Sequence, residues 1–183
     1  YFFTKGRCYY HLGKYDEAIK NLEKALSESK YGMDAKARLW LGRVYKAKGE
    51  KKTAKELIVE ALRLSNEKVE KAEELRFYKA YFQRGLCYLE LDEHDKAISD
   101  FKETIKWRVF ADKPANHTNY YLDAHKYIGI AYMKAGNSDM AIAYMKAGNS
   151  DMATEYFQKT IELAKSRGFQ EVVKEVKELL IKL

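Results

Sequence analysis

An all-α fold, a solenoid of antiparallel helix pairs closed by a C-terminal capping helix, is what this sequence predicts, on three observations. Helix breakers are scarce, with one proline and ten glycines in 183 residues, while Ala, Leu, Lys and Glu are abundant and form helices well. A spaced set of glycine, tyrosine and alanine recurs down the chain, the mark of stacked repeats. Near the C-terminus, apolar residues recur at helical spacing with Glu and Lys on most of the opposite face.

The repeat defines the elements in order. Gly6 is followed by Tyr9, Ala18, Ala25 and Leu26 at offsets of 3, 12, 19 and 20 residues. The same offsets give Gly42, Tyr45, Ala54, Ala61 and Leu62, then Gly85, Tyr88, Ala97, Thr104 and Ile105. A fourth register opens with Gly129, Tyr132 and Ala141 and then fails, unless twelve residues are removed, when Thr160 and Ile161 fall into place. A second glycine follows the tyrosine as Gly13, Gly49 and Gly136, with Asp92 in that place in the third unit.

Each unit reads as two antiparallel helices. The first Gly lets a neighbouring helix approach closely, with the Tyr filling the space beside it. The second Gly supplies the left-handed residue that ends a helix. The small Ala early in the next helix permits a tight crossing, and the apolar pair near its end closes the layer. One hairpin cannot bury both its faces, so the units must stack. The expected units cover about 1–30, 35–65, 67–110 and 119–166, with the capping helix over about 168–183.

Glycine spacings of 36, 43 and 44 residues call for lengthened helices rather than long loops. Asn66 is expected to cap a helix through Glu67 to Lys71, with Glu67 and Lys71 paired one turn apart. Trp107 to Asn119, which holds Pro114, reads as an extended connection. Phe169, Val172, Val173, Val176, Leu179, Leu180 and Leu183 form the stripe of the terminal helix. A cap on the end of the solenoid is preferred for it over a docking or dimerisation helix.

One segment disturbs the pattern. Ile130–Ala141 and Ile142–Ala153 both read IAYMKAGNSDMA, an insertion into an otherwise regular unit. Asp139–Ala147, between a capping pair and a terminating pair, is able to form a short extra helix. Alternatively one helix absorbs Gly136 or Gly148 and projects about 18 Å farther; self-association or domain swapping would follow. Looping out is the third possibility. An engineered study object is also consistent with the perfect copy.

Composition excludes several classes of function. The length suits one domain with a real core, and 46% apolar with 33% charged residues suits a folded soluble chain. No apolar run spans a bilayer and no signal-peptide architecture appears, so a cytoplasmic location is expected, and Tyr1 falling mid-pattern suggests a fragment. Net charge is +7, but the cations are interspersed with acids and no nucleic-acid motif occurs, so protein binding is preferred over nucleic acid. There is no P-loop, dinucleotide turn or HExxH, hence no catalytic activity, cofactor or metal is expected. Cys8 and Cys87 each stand two residues after a repeat glycine, where other units carry Val44 and Ala131, and read as packed thiols. His11, His94, His117 and His125 show no metal-ligand spacing.

Leu41-Gly42-x-x-Tyr45, and Ala97 with Phe101 and Ala153 with Phe157, resemble the tetratricopeptide repeat family over about residues 1–165. The aromatic expected before the Leu is Arg38, and the closing proline is absent. The lengthened repeats look like those of kinesin light chains and of bacterial peptide-sensing regulators. The resemblance implies a right-handed superhelix and a non-catalytic scaffold whose first helices line a concave groove for a peptide or helical segment. Carried onto this sequence, that groove holds Arg7, Tyr10, His11, Arg43, Lys46, Gln83, Lys126 and Tyr127, and an acidic or carboxylate-bearing partner suits it. Chaperone-binding members use a Lys and Asn carboxylate clamp in the first unit; Phe3 and Arg7 stand there, so that specificity is not implied. A sensor domain of a peptide-responsive regulator and a homo-oligomer joined through the duplicated segment are the alternatives.

Overall fold

A computed structural model describes residues 1–28, 34–71, 77–110 and 120–136, with Gln158, Ile161, Glu162, Lys165 and Lys174 beyond them. Among these residues there are seven helices: α1 (Phe2–His11), α2 (Tyr15–Ser27), α3 (Asp34–Ala47), α4 (Lys51–Lys71), α5 (Phe77–Glu90), α6 (His94–Phe110) and α7 (Tyr120–Gly136). Each packs on its neighbour in sequence, most extensively α3 with α4 and α5 with α6, then α1 with α2 and α6 with α7 equally. The odd helices also touch in series, α1 on α3, α3 on α5 and α5 on α7. This is an all-α helical-repeat solenoid in which the first helices of successive units form one layer.

The repeat residues make the pairs. A methyl group on Gly42 would stand 2.5 Å from Ile58 Cγ1 and 3.1 Å from the Ala54 carbonyl. At Gly6 it would meet Leu22 Cγ at 2.6 Å and the Ala18 carbonyl at 3.2 Å, and at Gly85 it would meet Phe101 Cε1 at 2.8 Å. In the first two units the glycine of one helix and the alanine of the next therefore meet at the crossing, while in the third Gly85 meets Phe101 and Asp100. Ala18, Ala54 and Ala97 are fully or almost fully buried there.

Helix ends follow the second glycine. Gly13 and Gly49 hold φ of +70° and +86°, and the residue after each, Lys14 and Glu50, donates its backbone N–H to the carbonyl of the repeat tyrosine, Tyr9 or Tyr45, at 2.9 Å. That six-to-one bond satisfies a carbonyl the helix would otherwise leave free. Asp92 takes the same turn at φ 61°, and Glu93 donates to the Tyr88 carbonyl at 2.9 Å.

Three expectations differ from what is found. Asn66 caps nothing, because α4 runs unbroken for 21 residues, past the expected unit boundary. Ser65 just before it is buried, its hydroxyl donating to the Ala61 carbonyl at 2.7 Å, and packing against α3 and α5 overrides the local capping preference. Glu67 pairs backward with Arg63. Trp107 is helical, donating its indole N–H to Glu103 Oε2 at 3.0 Å, so α6 reaches Phe110; residues 111–119, with Pro114, lie outside the described residues. The 21 and 17 residues of α4 and α6, against 13 in α2, account for the wide glycine spacing. Cys8 is exposed where Cys87 is buried. The Cys87 thiol lies 3.9 Å from Ser65 of α4 in the preceding unit.

The duplicated segment after Gly136 and the capping helix, Lys174 apart, fall outside the described residues. No described helix is long and apolar enough to cross a membrane.

Candidate functional site

Two adjoining clefts open on the layer of odd helices. The first, about 370 Å³, is bounded by Tyr10 and His11 of α1, Trp40, Arg43, Lys46 and Ala47 of α3, Glu90 of α5 and Tyr127 of α7. The second, about 200 Å³, is bounded by Phe3 and Arg7 of α1, then Lys36, Trp40 and Arg43 of α3. Its other walls are Lys79, Phe82, Gln83 and Leu86 of α5, with Tyr120, Asp123 and Tyr127 of α7. Every one of these residues lies on an odd helix. Early turns line the second cleft and late turns the first, so the odd helices run side by side in one direction. Trp40, Arg43 and Tyr127 form the shared wall.

Seven residues singled out from sequence, Arg7, Tyr10, His11, Arg43, Lys46, Gln83 and Tyr127, stand around these two clefts. Lys126 is in α7, with its side chain outside the described residues, as is that of His125. Sequence reasoning missed Trp40, Glu90, Lys36, Lys79 and Tyr120. A signal for most of them existed, since stepping three, four or seven residues from Arg43 and Gln83 along one helix face reaches Lys36, Trp40, Lys79 and Glu90.

Trp40 is the hub. The Arg7 and Arg43 guanidiniums each lie 4.7 Å from its ring centre, close enough for cation–π attraction. Tyr10 and His11 meet it edge-on at 5.5 and 5.7 Å. Tyr127 is fixed from behind by stacking on Phe101 at 5.6 Å, and Phe82 touches Tyr120 and Tyr127 edge-on. The aromatic walls are thus packed from the core side and preorganised.

Charge in the first cleft is partly neutralised from within. Arg43 Nε donates to Glu90 Oε1 at 2.9 Å and Lys46 Nζ to Glu90 Oε2 at 3.3 Å. Arg43 and Glu90 side chains are only 11% and 14% exposed, so the pair is screened little by solvent. Burial works against ionisation of Glu90, but Arg43, Lys46 and Lys134 outweigh it and hold its carboxyl below the usual range. Burial likewise opposes the Arg43 charge, and Tyr127 and Glu90 more than offset it. Two of the cations expected to line a basic groove, Arg43 and Lys46, are therefore engaged by an acid from α5, 47 and 44 residues away.

The second cleft is different. Lys36 has no acidic partner among the described residues, and its pKa is lowered by burial, then by Lys79 and by Arg7. Gln83 is 6% exposed, and its Nε2 is buried without an acceptor. The Cys87 thiol one turn on feels that amide but is a weak acceptor.

Little else in the described residues carries chemistry. No cluster of three or more His, Cys, Asp or Glu suited to a metal occurs among them. Burial pushes the Cys87 thiol up to about 11, which makes it a poor nucleophile. His94 opens α6 with its pKa lowered by burial; its Nε2 stands 3.7 Å from Asp92 Oδ1, a packing position rather than a reactive one.

Family comparison agrees with the geometry. Models described as "Tetratricopeptide repeat" match residues 1–30, residues 35–68 and 78–108, and residues 138–171. Among solved structures, the "putative kinesin light chain nearly identical TPR-like repeats" of Podosopora anserina is 15% identical over 99% of this chain and 93% of that one, with TM-score 0.52. MamA is 24% identical, covering 91% of this chain and 78% of its own, at TM-score 0.45. Apo RapI is 18% identical over 99% and 68%, at 0.49. At these identities the likeness is one of fold. No curated protein matches the chain.

Proposed function

We propose that this chain, which belongs to the tetratricopeptide repeat family, is a non-catalytic docking scaffold that holds a peptide or helical segment of a partner protein along the layer of its first helices. Repeats of this family are typically interaction modules. The observation that carries the proposal is the origin of the two clefts: every lining residue comes from α1, α3, α5 or α7. A docked segment would lie across the odd helices and touch all four units at once. Packed aromatic walls favour such binding because little side-chain freedom is lost when the segment arrives.

The groove suits an acid better at one end than at the other. Glu90 occupies Arg43 and Lys46 in the first cleft, which leaves that end for aromatic and neutral groups beside Trp40, Tyr10 and His11. Arg7, Lys36 and Lys79 face the second cleft without carboxylate partners among the described residues, so an acidic group belongs there.

Peptides selected from a displayed library against the full chain test this. Trp40→Ala and Arg7→Glu are expected to weaken the selected peptides tenfold or more, and Lys55→Glu on the exposed side of α4 to leave them unchanged. The opposite ranking, with α4 sensitive and α1 and α3 insensitive, sinks the proposal. Arg43→Glu is a poor probe, since it would set a second buried acid against Glu90 and unsettle the fold itself.

A further inference from the structure

The second cleft carries more cation than a single carboxylate needs. Arg7, Lys36 and Lys79 line it with one acid, Asp123, and Arg43 is already held by Glu90. Three cations against one carboxylate leave an excess of two charges. Lys36 is the third residue of α3 and Lys79 the third of α5, where the helix N-terminus is already partially positive and an acid is the favoured residue. The sequence thus places cations where local electrostatics opposes them, a conflict of the kind expected at functional sites.

A second observation is independent of charge. Gln83 sits on the wall of the same cleft, 6% exposed, with its amide Nε2 buried and meeting no acceptor better than the Cys87 thiol. A buried donor so weakly matched is costly to the fold, and an oxyanion drawn into the cleft would offer it a stronger acceptor. Arg7 is steadied by Trp40 and Phe3, whose ring centres lie 4.7 and 5.8 Å from its guanidinium carbon. Its N–H groups have no acceptor among the described residues.

We infer that the second cleft is an oxyanion subsite for a doubly charged group on the docked segment, a phosphorylated serine or threonine, held by Lys36, Lys79 and Arg7 with the Gln83 amide as the neutral donor. A phosphoryl group carries close to two negative charges at neutral pH and three strong acceptor oxygens. It matches both the excess charge and the number of free donors, where a carboxylate matches neither. Burial first, and then the nearby Lys79 and Arg7, lower the Lys36 pKa; the repulsion among the three cations is relieved when the phosphoryl group binds. This deepens the docking proposal and rests on it for the source of the phosphate.

The test uses the full chain in a Trp107→Phe background, which leaves Trp40 as its single tryptophan and a reporter at the cleft wall. Capped phosphoserine, capped aspartate, capped serine and inorganic phosphate are titrated at constant ionic strength. Phosphoserine is expected to bind about tenfold more tightly than aspartate, and serine not to bind. Lys36→Met and Gln83→Leu should each weaken phosphoserine about five- to tenfold, while Lys36→Met raises the melting temperature by removing repulsion. A purely structural lysine would lower it.

Equal binding of aspartate and phosphoserine, or indifference to both substitutions, overturns the subsite. Inorganic phosphate bound as tightly as phosphoserine makes it a site for free phosphate and overturns its assignment to a docked segment. If library-selected peptides keep their affinity in Lys36→Met and Gln83→Leu, the docking surface stands and the subsite falls. If phosphoserine binds and no peptide can be selected, the reverse holds.

Discussion

Gly42→Ala tests the packing on which the repeat rests. Alanine would gain about 1 kcal/mol of helix propensity in the interior of α3. Its methyl would also stand 2.5 Å from Ile58 Cγ1, with Ile58 Cδ1 and the Ala54 carbonyl both at 3.1 Å. Apolar carbons settle at about 3.5–4.0 Å, so α4 must retreat by about 1 Å or Ile58 must leave its rotamer. Ile58 is 2% exposed and Ala54 2%, which leaves no free volume to retreat into. Overpacking of this kind costs about 1–3 kcal/mol, so the net expectation is a loss of up to about 2 kcal/mol. In a chain of this size each kcal/mol lowers Tm by about 2–4 °C. Urea unfolding should show a lower midpoint at unchanged slope. The balance must shift toward stabilisation in an Ile58→Ala background, where the offending side-chain carbons are gone and only the 3.1 Å contact with the Ala54 carbonyl opposes the propensity gain. Ile58→Ala alone should cost about 2–5 kcal/mol, and adding Gly42→Ala to it should recover up to about 1 kcal/mol. If Gly42→Ala stabilises the protein in both backgrounds, the two helices are not in the contact described, and the account of the repeat glycine is wrong.

Glu90→Gln should destabilise the chain by about 1–3 kcal/mol in urea titrations, since it leaves Arg43 buried beside a neutral amide. Because the folded carboxyl is held below its ordinary value of 4.5, its contribution is present above that pH and lost as the pH falls through the lower folded value. The substitution should therefore shrink the loss of stability between neutral pH and acid, and an unchanged acid profile would discredit the ion-pair assignment. Asp92→Gly should stabilise by about 1 kcal/mol in thermal melts, because φ of 61° strains any residue with a Cβ; a loss would mean the Asp92 side chain matters more than its backbone. A thiol reagent at neutral pH should label exposed Cys8 quickly and Cys87, raised to about 11 by burial, only on unfolding. Equal labelling rates would contradict the burial of α5.

Spacing along one chain was enough to read the helix pairs, the glycine crossings and the left-handed turns, because each arises from residues a few turns apart. Gly6, Gly42 and Gly85 announced close approach, and Ala18, Ala54 and Ala97 named the partner surface. The residues around the two clefts were legible for the same reason, since a helix face is a periodicity and the first helices recur at known positions. What the pattern misjudged was local chemistry set against tertiary burial. Asn66 would cap an isolated helix, yet α4 runs through it because packing on α3 and α5 stabilises the longer helix more than a cap could. Cys8 and Cys87 share a repeat position, yet Cys87 is buried beside Ser65 of α4 and Cys8 is exposed.

The distribution of charge needed three dimensions. Arg43 and Lys46 look like free cations in a linear reading, since their partner Glu90 is contributed by the next unit and no local spacing links them. Composition and periodicity determined the class of fold and the face it offers, because backbone hydrogen bonding and apolar burial follow sequence distance. Which cations on that face are spent and which remain was decided only when separate units met, because electrostatic pairing depends on distance in space.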